Sequence, residues 1–220
     1  CEIDPFCQKV LEKHWPNVRR IADVHDVITA DCEGADLIYG GFPCQPVSVA
    51  GKRLGQDDDR WLWPQFARLI GDVRPRYALM ENVSNLLRLG FDEVLNDLSS
   101  LGYDTRWSVV SACSVGAPHP RARLFIVAYR SGIDGEAWDR LEPRGEWRPP
   151  APVGGLSGVR VPRGWGRAGL WNAGEPELDR VAHGIPAAVD RLHALGNAVV
   201  AEQARAAFRE LWRRLGEDVT

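Results

Sequence analysis

Asp36-Leu37-Ile38-Tyr39-Gly40-Gly41-Phe42-Pro43-Cys44-Gln45-Pro46 is an apolar run that breaks into a glycine- and proline-rich turn carrying a cysteine. The run predicts a buried strand over residues 36–40, and the Gly/Pro punctuation ends it. A second strand-like run, Tyr77-Ala78-Leu79-Met80, leads directly into Glu81-Asn82-Val83. A thiol and a carboxylic acid at the ends of two strands suggest covalent chemistry on an electrophilic ring.

Outward from these runs, strands and helices alternate. Asp4-Pro5 is a helix start, with Asp4 as N-cap and Pro5 at the first helical position, and the helix should run to about His14. Trp61 to Asp72 is amphipathic, with Leu62, Phe66, Leu69 and Ile70 on one side. Phe91 to Leu101 is a helix with Val94, Leu95 and Leu98 inward, ended by Gly102. Trp107 to Val110 and Leu124 to Tyr129 read as further strands. Ala201 to Leu215 is a helix with Ala204, Phe208, Leu211 and Leu215 as its apolar side. Such alternation predicts an α/β fold with a largely parallel sheet covered on both faces. Ligands in such sheets sit outside the carboxyl ends of the strands, where Cys44 and Glu81 fall.

The chain has 220 residues, enough for one domain with a full core. Its 45% hydrophobic and 26% charged content are ordinary for a globular protein, and no apolar run reaches membrane-spanning length. Cys1, Cys7, Cys32, Cys44 and Cys113 are odd in number and form no Cys-x-x-Cys pair. Neither a zinc site nor a disulfide framework is favoured, and a cytoplasmic location is expected.

The net charge of −3 hides an asymmetry. Residues 1–110 hold 12 basic and 17 acidic groups, whereas residues 121–170 hold 9 and 5, every base there being arginine. Local basic surface is all that nucleic-acid binding needs, so charge alone leaves a DNA surface and an ordinary solvated surface equally open. Residues 131–176 lose all periodicity yet carry four tryptophans, Trp138, Trp147, Trp165 and Trp171. A loop-rich lobe explains the aromatics better than a disordered spacer does.

Five segments then fall into one pattern. Gly41-Phe42-Pro43-Cys44-Gln45, with Ser48 and Gly51-Lys52, resembles the catalytic loop of the C5-cytosine-specific DNA methyltransferases. Glu81-Asn82-Val83 resembles that family's Glu-Asn-Val motif. His119-Pro120-Arg121-Ala122-Arg123 resembles its Gln-x-Arg-x-Arg motif, with His119 in place of Gln. Leu195-Gly196-Asn197-Ala198-Val199-Val200 is similar to its Gly-Asn-Ser/Ala-Val motif. Glu2-Ile3-Asp4 and Asp23 match the acids that follow the family's second and third strands. The order is the family's own, and the matches cover nearly the whole chain.

The resemblance implies a Rossmann-like S-adenosylmethionine-dependent methyltransferase fold with a small target-recognition lobe. It divides the chain into a catalytic domain over 1–130, a recognition region over 131–185 and a returning segment over 186–220. The family's Phe-x-Gly-x-Gly loop would precede Glu2, so the expectation is a fragment, or a site completed by another chain. The implied activity is methyl transfer to C5 of a flipped-out cytosine in double-stranded DNA, in a restriction–modification or phage setting. A tRNA cytosine-5 methyltransferase and a non-catalytic DNA-binding relative are the alternatives. The implied state is a monomer without membrane attachment.

The resemblance also assigns roles. Cys44 would add to C6 as a thiolate, turning the ring into an enamine-like species whose C5 attacks a methyl sulfonium. Glu81, protonated or sharing a proton with N3, would neutralise the charge that develops there, which requires a raised pKa. Arg123 would bind the cytosine O2, and Arg121 would hold the catalytic loop or Glu81. Glu2 would take the ribose hydroxyls of the cofactor and Asp23 its adenine amino group, with Val24 against the ring. Ile3, Pro43, Leu62, Asn197 and Val199 would complete that site. Gln45, Ser48, Lys52 and Arg53 would meet DNA, on a loop whose Gly51 and Gly55 let it close over the flipped base.

Overall fold

The protein is described here by a computed structural model covering residues 1–43, 61–117, 119, 121–132 and 198–217. Helix α1 (Pro5–His14) starts where Asp4 caps it, its carboxylate accepting from the N–H groups of Phe6 and Cys7 at 2.8 and 2.9 Å. Strand β1 (Leu37–Gly41), helix α2 (Trp63–Val73), strand β2 (Tyr77–Val83) and helix α3 (Phe91–Ser100) follow. Strands β3 (Tyr103–Ser111) and β4 (Ala122–Arg130) and helix α4 (Ala201–Glu217) come next, with short 3-10 turns between some of these elements.

The four strands form one sheet in the order β1-β2-β4-β3. Only β1 and β2 are parallel; β4 is antiparallel to both of its neighbours. The largely parallel sheet expected from the strand–helix alternation is therefore a mixed one. The reason lies between β3 and β4, where ten residues contain no helix long enough for a parallel crossover. The chain turns back instead, and β4 inserts between β3 and β2.

Both faces of the sheet are covered, as expected. Leu124, Ile126 and Ala128 of β4 point to a core shared with α2 and α3, while Phe125 and Val127 point to one built with Ala207, Leu211 and Trp212 of α4. This alternation along a strand buried on both sides makes it read as a continuous apolar run. Trp212 joins Phe208 in facing the sheet, its ring centroid 4.9 Å from that of Tyr77.

Aromatic side chains anchor the α2–α3 side. Trp63 is completely buried and donates its indole N–H to Asp97 of α3 at 2.8 Å. Phe42, just past β1, meets Trp61 edge-on at 5.5 Å and Trp63 at 5.4 Å. Such pairs add about 0.5–1.5 kcal/mol each beyond their buried area. Gly90, which begins α3, has φ 110°, and a Cβ there would lie 3.0 Å from the Trp61 ring. The chain at the end of β1 is thus packed into the core through Phe42, and this fixes where it leaves the sheet at Pro43.

Candidate active site

The site begins on the carboxyl halves of β1 and β2. Residues 77–80 were expected to form the strand, with Glu81 at its end; β2 instead continues through Glu81, Asn82 and Val83. The added length comes from pairing on both sides, because Gly41 lies opposite Glu81 and Arg123 opposite Val83. Arg123, expected ahead of its strand, is inside β4 for the same reason.

Glu81 and Arg123 lie diagonally across the β2–β4 ladder on one face. The Arg123 Nε donates to Glu81 Oε1 at 3.0 Å, and the two side chains are only 17% and 16% exposed. Burial pushes the Glu81 carboxyl above the usual carboxylate range, and the guanidinium groups of Arg123 and Arg121 oppose that rise without cancelling it. A carboxyl group poised in this way can hold a proton for a partner and still be steered by a cation.

The floor under Glu81 is the backbone of Gly41. A Cβ at Gly41 would sit 2.9 Å from Glu81 Oε2 and 3.3 Å from its carbonyl oxygen. The carboxylate is already tied to Arg123 and has little room to yield. Gly41→Ala is therefore expected to cost about 1–3 kcal/mol of stability by forcing the pair apart or the strand aside. Urea denaturation checks this, and an unchanged midpoint would mean that the carboxylate has space to move.

Asn82 faces the other way and is buried. Its Nδ2 donates to the carbonyl of Phe42 at 3.2 Å, and its Oδ1 accepts from the N–H of Val83 at 2.8 Å. The residue ties β2 to the chain two positions before Cys44. That role was not assigned from the sequence, although Asn82 stands inside the Glu-Asn-Val segment.

Arg121 is close enough for its charge to act on Glu81, and it also makes a backbone contact that the sequence did not suggest. Its Nη2 donates to the carbonyl of Ala198 at 2.6 Å, so it reaches the segment leading into α4, while Arg123 grips Glu81. Gln203 of α4 is completely buried and donates to the carbonyls of Val110 and Arg121 at 2.8 and 2.7 Å. No motif pointed to it, because a glutamine in an amphipathic helix is unremarkable in sequence. His119 is exposed.

The acids of the first residues form a second group. The backbone N–H of Glu2 donates to the carbonyl of Ile21 at 3.1 Å, which lays Glu2-Ile3 beside the segment entering Asp23-Val24. One Glu2 oxygen accepts from the N–H of Asp4 at 2.8 Å. Asp23 accepts from the backbone N–H and the ring of His25 at 2.9 and 2.7 Å, and these bonds lower its pKa. Arg68 of α2 fixes the next turn by donating to the carbonyls of Val24 and Val27. Ile3 and Val199 are exposed, Pro43 is exposed, and Leu62 is half-buried at the start of α2. Cys44, Gln45, Ser48, Lys52, Arg53 and Asn197 lie outside the described residues, as does most of the 131–185 region.

A family model for the C-5 cytosine-specific DNA methylase matches residues 1–146. The chain belongs to this family. Within it, the chain is 36% identical over 133 residues to the Type II methyltransferase M1.ScrFI of Lactococcus lactis subsp. cremoris, a match covering 58% of this chain and 34% of that protein. It is 35% identical over 135 residues to M.NgoMIV of Neisseria gonorrhoeae, covering 59% and 43%. The matched part thus spans between about a third and under a half of each curated relative. Crystal structures of DNMT2 from Spodoptera frugiperda and Dnmt2 from S. pombe each align with a TM-score of 0.50, at 20% and 18% identity. The first covers 60% of this chain and 42% of its own, the second 66% and 47%. At that identity they report on the fold, which is the Rossmann-like methyltransferase fold expected from the motifs.

Proposed function

We propose that this cytosine-5 methylase transfers a methyl group to C5 of a cytosine turned out of double-stranded DNA, through a covalent bond between Cys44 and C6. The observation that carries the reading is the Glu81–Arg123 pair. It is a largely enclosed carboxyl, its pKa raised by burial, beside a guanidinium, on the strand next to the one that leads into Pro43.

The chemistry asks four things of these residues. Cys44 adds as a thiolate to C6, and the electron pair displaced from the C5–C6 bond becomes available at C5. Glu81 gives its proton to N3 as charge develops there and accepts from the N4 amino group. Arg123 donates to O2 while keeping Glu81 in place. After transfer, water removes the C5 proton, the C6–S bond breaks, and the thiolate and the Glu81 proton are restored. A base inside the duplex cannot present C6 to a thiol, so the cytosine must be extruded. Gln45, Ser48, Lys52 and Arg53 are the groups assigned to hold the DNA around it.

S-adenosylmethionine, when bound, supplies the methyl group as a sulfonium. The first residues fit an adenosyl group in kind. Glu2 and Asp23 are acceptors for hydroxyl and amino groups, and they stand on segments joined at Glu2 and Ile21. Ile3, Val24, Pro43, Leu62, Asn197 and Val199 would give the remaining contacts.

A duplex containing 5-fluorocytosine tests the reading. Fluorine at C5 cannot leave as a proton does, so the C6–S bond persists. The protein expressed from its complete reading frame should give a denaturation-resistant adduct with the duplex in the presence of S-adenosylmethionine, and Cys44→Ser should give none. Absence of an adduct with the unaltered protein would favour a DNA-binding relative without catalysis.

A further inference from the structure

We infer that Gln203 is a positioning residue for the Glu81–Arg123 pair, acting from α4 through the backbone of Arg121. This rests on the proposed cytosine-5 chemistry. The side chain is completely buried, yet its helical neighbours facing the sheet are apolar: Ala204, Ala207 and Leu211. A buried amide among apolar groups is retained only where its hydrogen bonds matter. Both Nε2 hydrogens are used, one on the carbonyl of Val110 and one on that of Arg121. Two carbonyl acceptors require the amino end of the amide there, so the orientation is settled by chemistry. Its Oε1 has no hydrogen-bond partner among the described residues. The donors are therefore what the position uses.

The two carbonyls stand where the β3–β4 ladder ends, since Val110 pairs with Arg123 and Ser111 with Ala122. The contact is reciprocal: Gln203 donates to the Arg121 backbone, and the Arg121 side chain donates to Ala198, five residues before Gln203. Two residues past Arg121, Arg123 meets Glu81. The start of β4 is thus clamped to the start of α4 from both directions. Losing the amide would free that strand end and loosen the guanidinium that faces the carboxyl. Among the described residues, Arg123 and Arg121 are the charged groups that act on Glu81.

The test uses single-turnover trapping on the 5-fluorocytosine duplex with the protein from its complete reading frame. Gln203→Met keeps the length and removes both donors; Gln203→Glu keeps the shape, with one donor as the neutral acid and none once ionised. The trapping amplitude counts folded, competent sites, and the rate constant reports their geometry. For Gln203→Met the rate constant should fall about 10- to 100-fold on the folded fraction, as small misplacements near a reacting centre do. Its alkaline limb should move to higher pH, because a loosened Arg123 holds the Glu81 carboxyl down less. Gln203→Glu should approach wild type as pH falls and its own carboxyl regains a donor. A lowered melting temperature with unchanged rate constant and unchanged pH limb would make Gln203 a packing residue and overturn the inference, as would failure of both variants to fold. If the unaltered protein forms no adduct, the parent reading falls first and this one with it. If it traps and both variants trap like it, only this one falls.

Discussion

Glu81→Gln is expected to slow methyl transfer by about 10²- to 10⁴-fold near neutral pH, the range that a positioned proton donor supplies. The amide keeps the size of the carboxyl and can donate a hydrogen bond, but it cannot deliver a proton to N3. The pH profile should change with it. Burial raises the Glu81 pKa, so in the native protein the proton-bearing form survives above the usual carboxylate range and is lost as pH rises through the raised value. Activity that depends on that form declines on the same limb, and in Glu81→Gln this component of the decline should vanish. Stability has a matching signature. The folded state binds this proton more tightly than the unfolded state, so the contribution is fully present below the unfolded pKa and is lost as pH rises through the folded one. Urea midpoints of the native protein should therefore fall with pH across that window relative to those of Glu81→Gln. Transfer of labelled methyl groups and urea titrations at several pH values check both. A variant that keeps its rate would remove Glu81 from the chemistry.

Arg123→Ala is expected to combine a catalytic and a structural loss. Removing a donor aimed at developing charge costs about 10²- to 10³-fold in rate. Removing one partner of a buried pair costs about 3–5 kcal/mol when the other charge is left uncompensated. Glu81 can escape part of that penalty by keeping its proton. The loss of stability should therefore grow as pH rises, and be smaller at acidic pH where the carboxyl is neutral. The double variant Arg123→Ala with Glu81→Gln should be less destabilised than the sum of the two single changes, because no buried charge is left behind. Additive losses in a double-mutant cycle would show that the 3.0 Å contact contributes nothing measurable.

The relation between Arg121 and Arg123 illustrates what local sequence carries and what it does not. Their spacing with Ala122 between them marks two guanidinium groups on one side of an extended chain. Nothing in that spacing says which reaches the carboxylate. The answer depends on the register of β4 against β2, which sets Arg123 opposite Val83 and diagonal to Glu81. Arg121 falls one step beyond the ladder and turns to Ala198. In the same way Gly41 reads as part of a turn, yet its lack of a side chain matters because Glu81 lies against it.

The sequence by itself determined the elements and the family. Periodicity placed the described α-helices to within two residues at their ends, since amphipathic spacing and caps such as Asp4-Pro5 are local. The ordered motifs marked the chain as a member of the C-5 cytosine-specific DNA methylase family and offered Cys44, Glu81 and Arg123 as candidates for the proposed chemistry. The tertiary structure alone decided the mixed sheet, the partner of Glu81 and the hydrogen bonds of Gln203. Gln203 bonds to carbonyls 82 and 93 residues away. Pairing over such separations is set by strand register and by the burial of whole faces, and no local spacing encodes either.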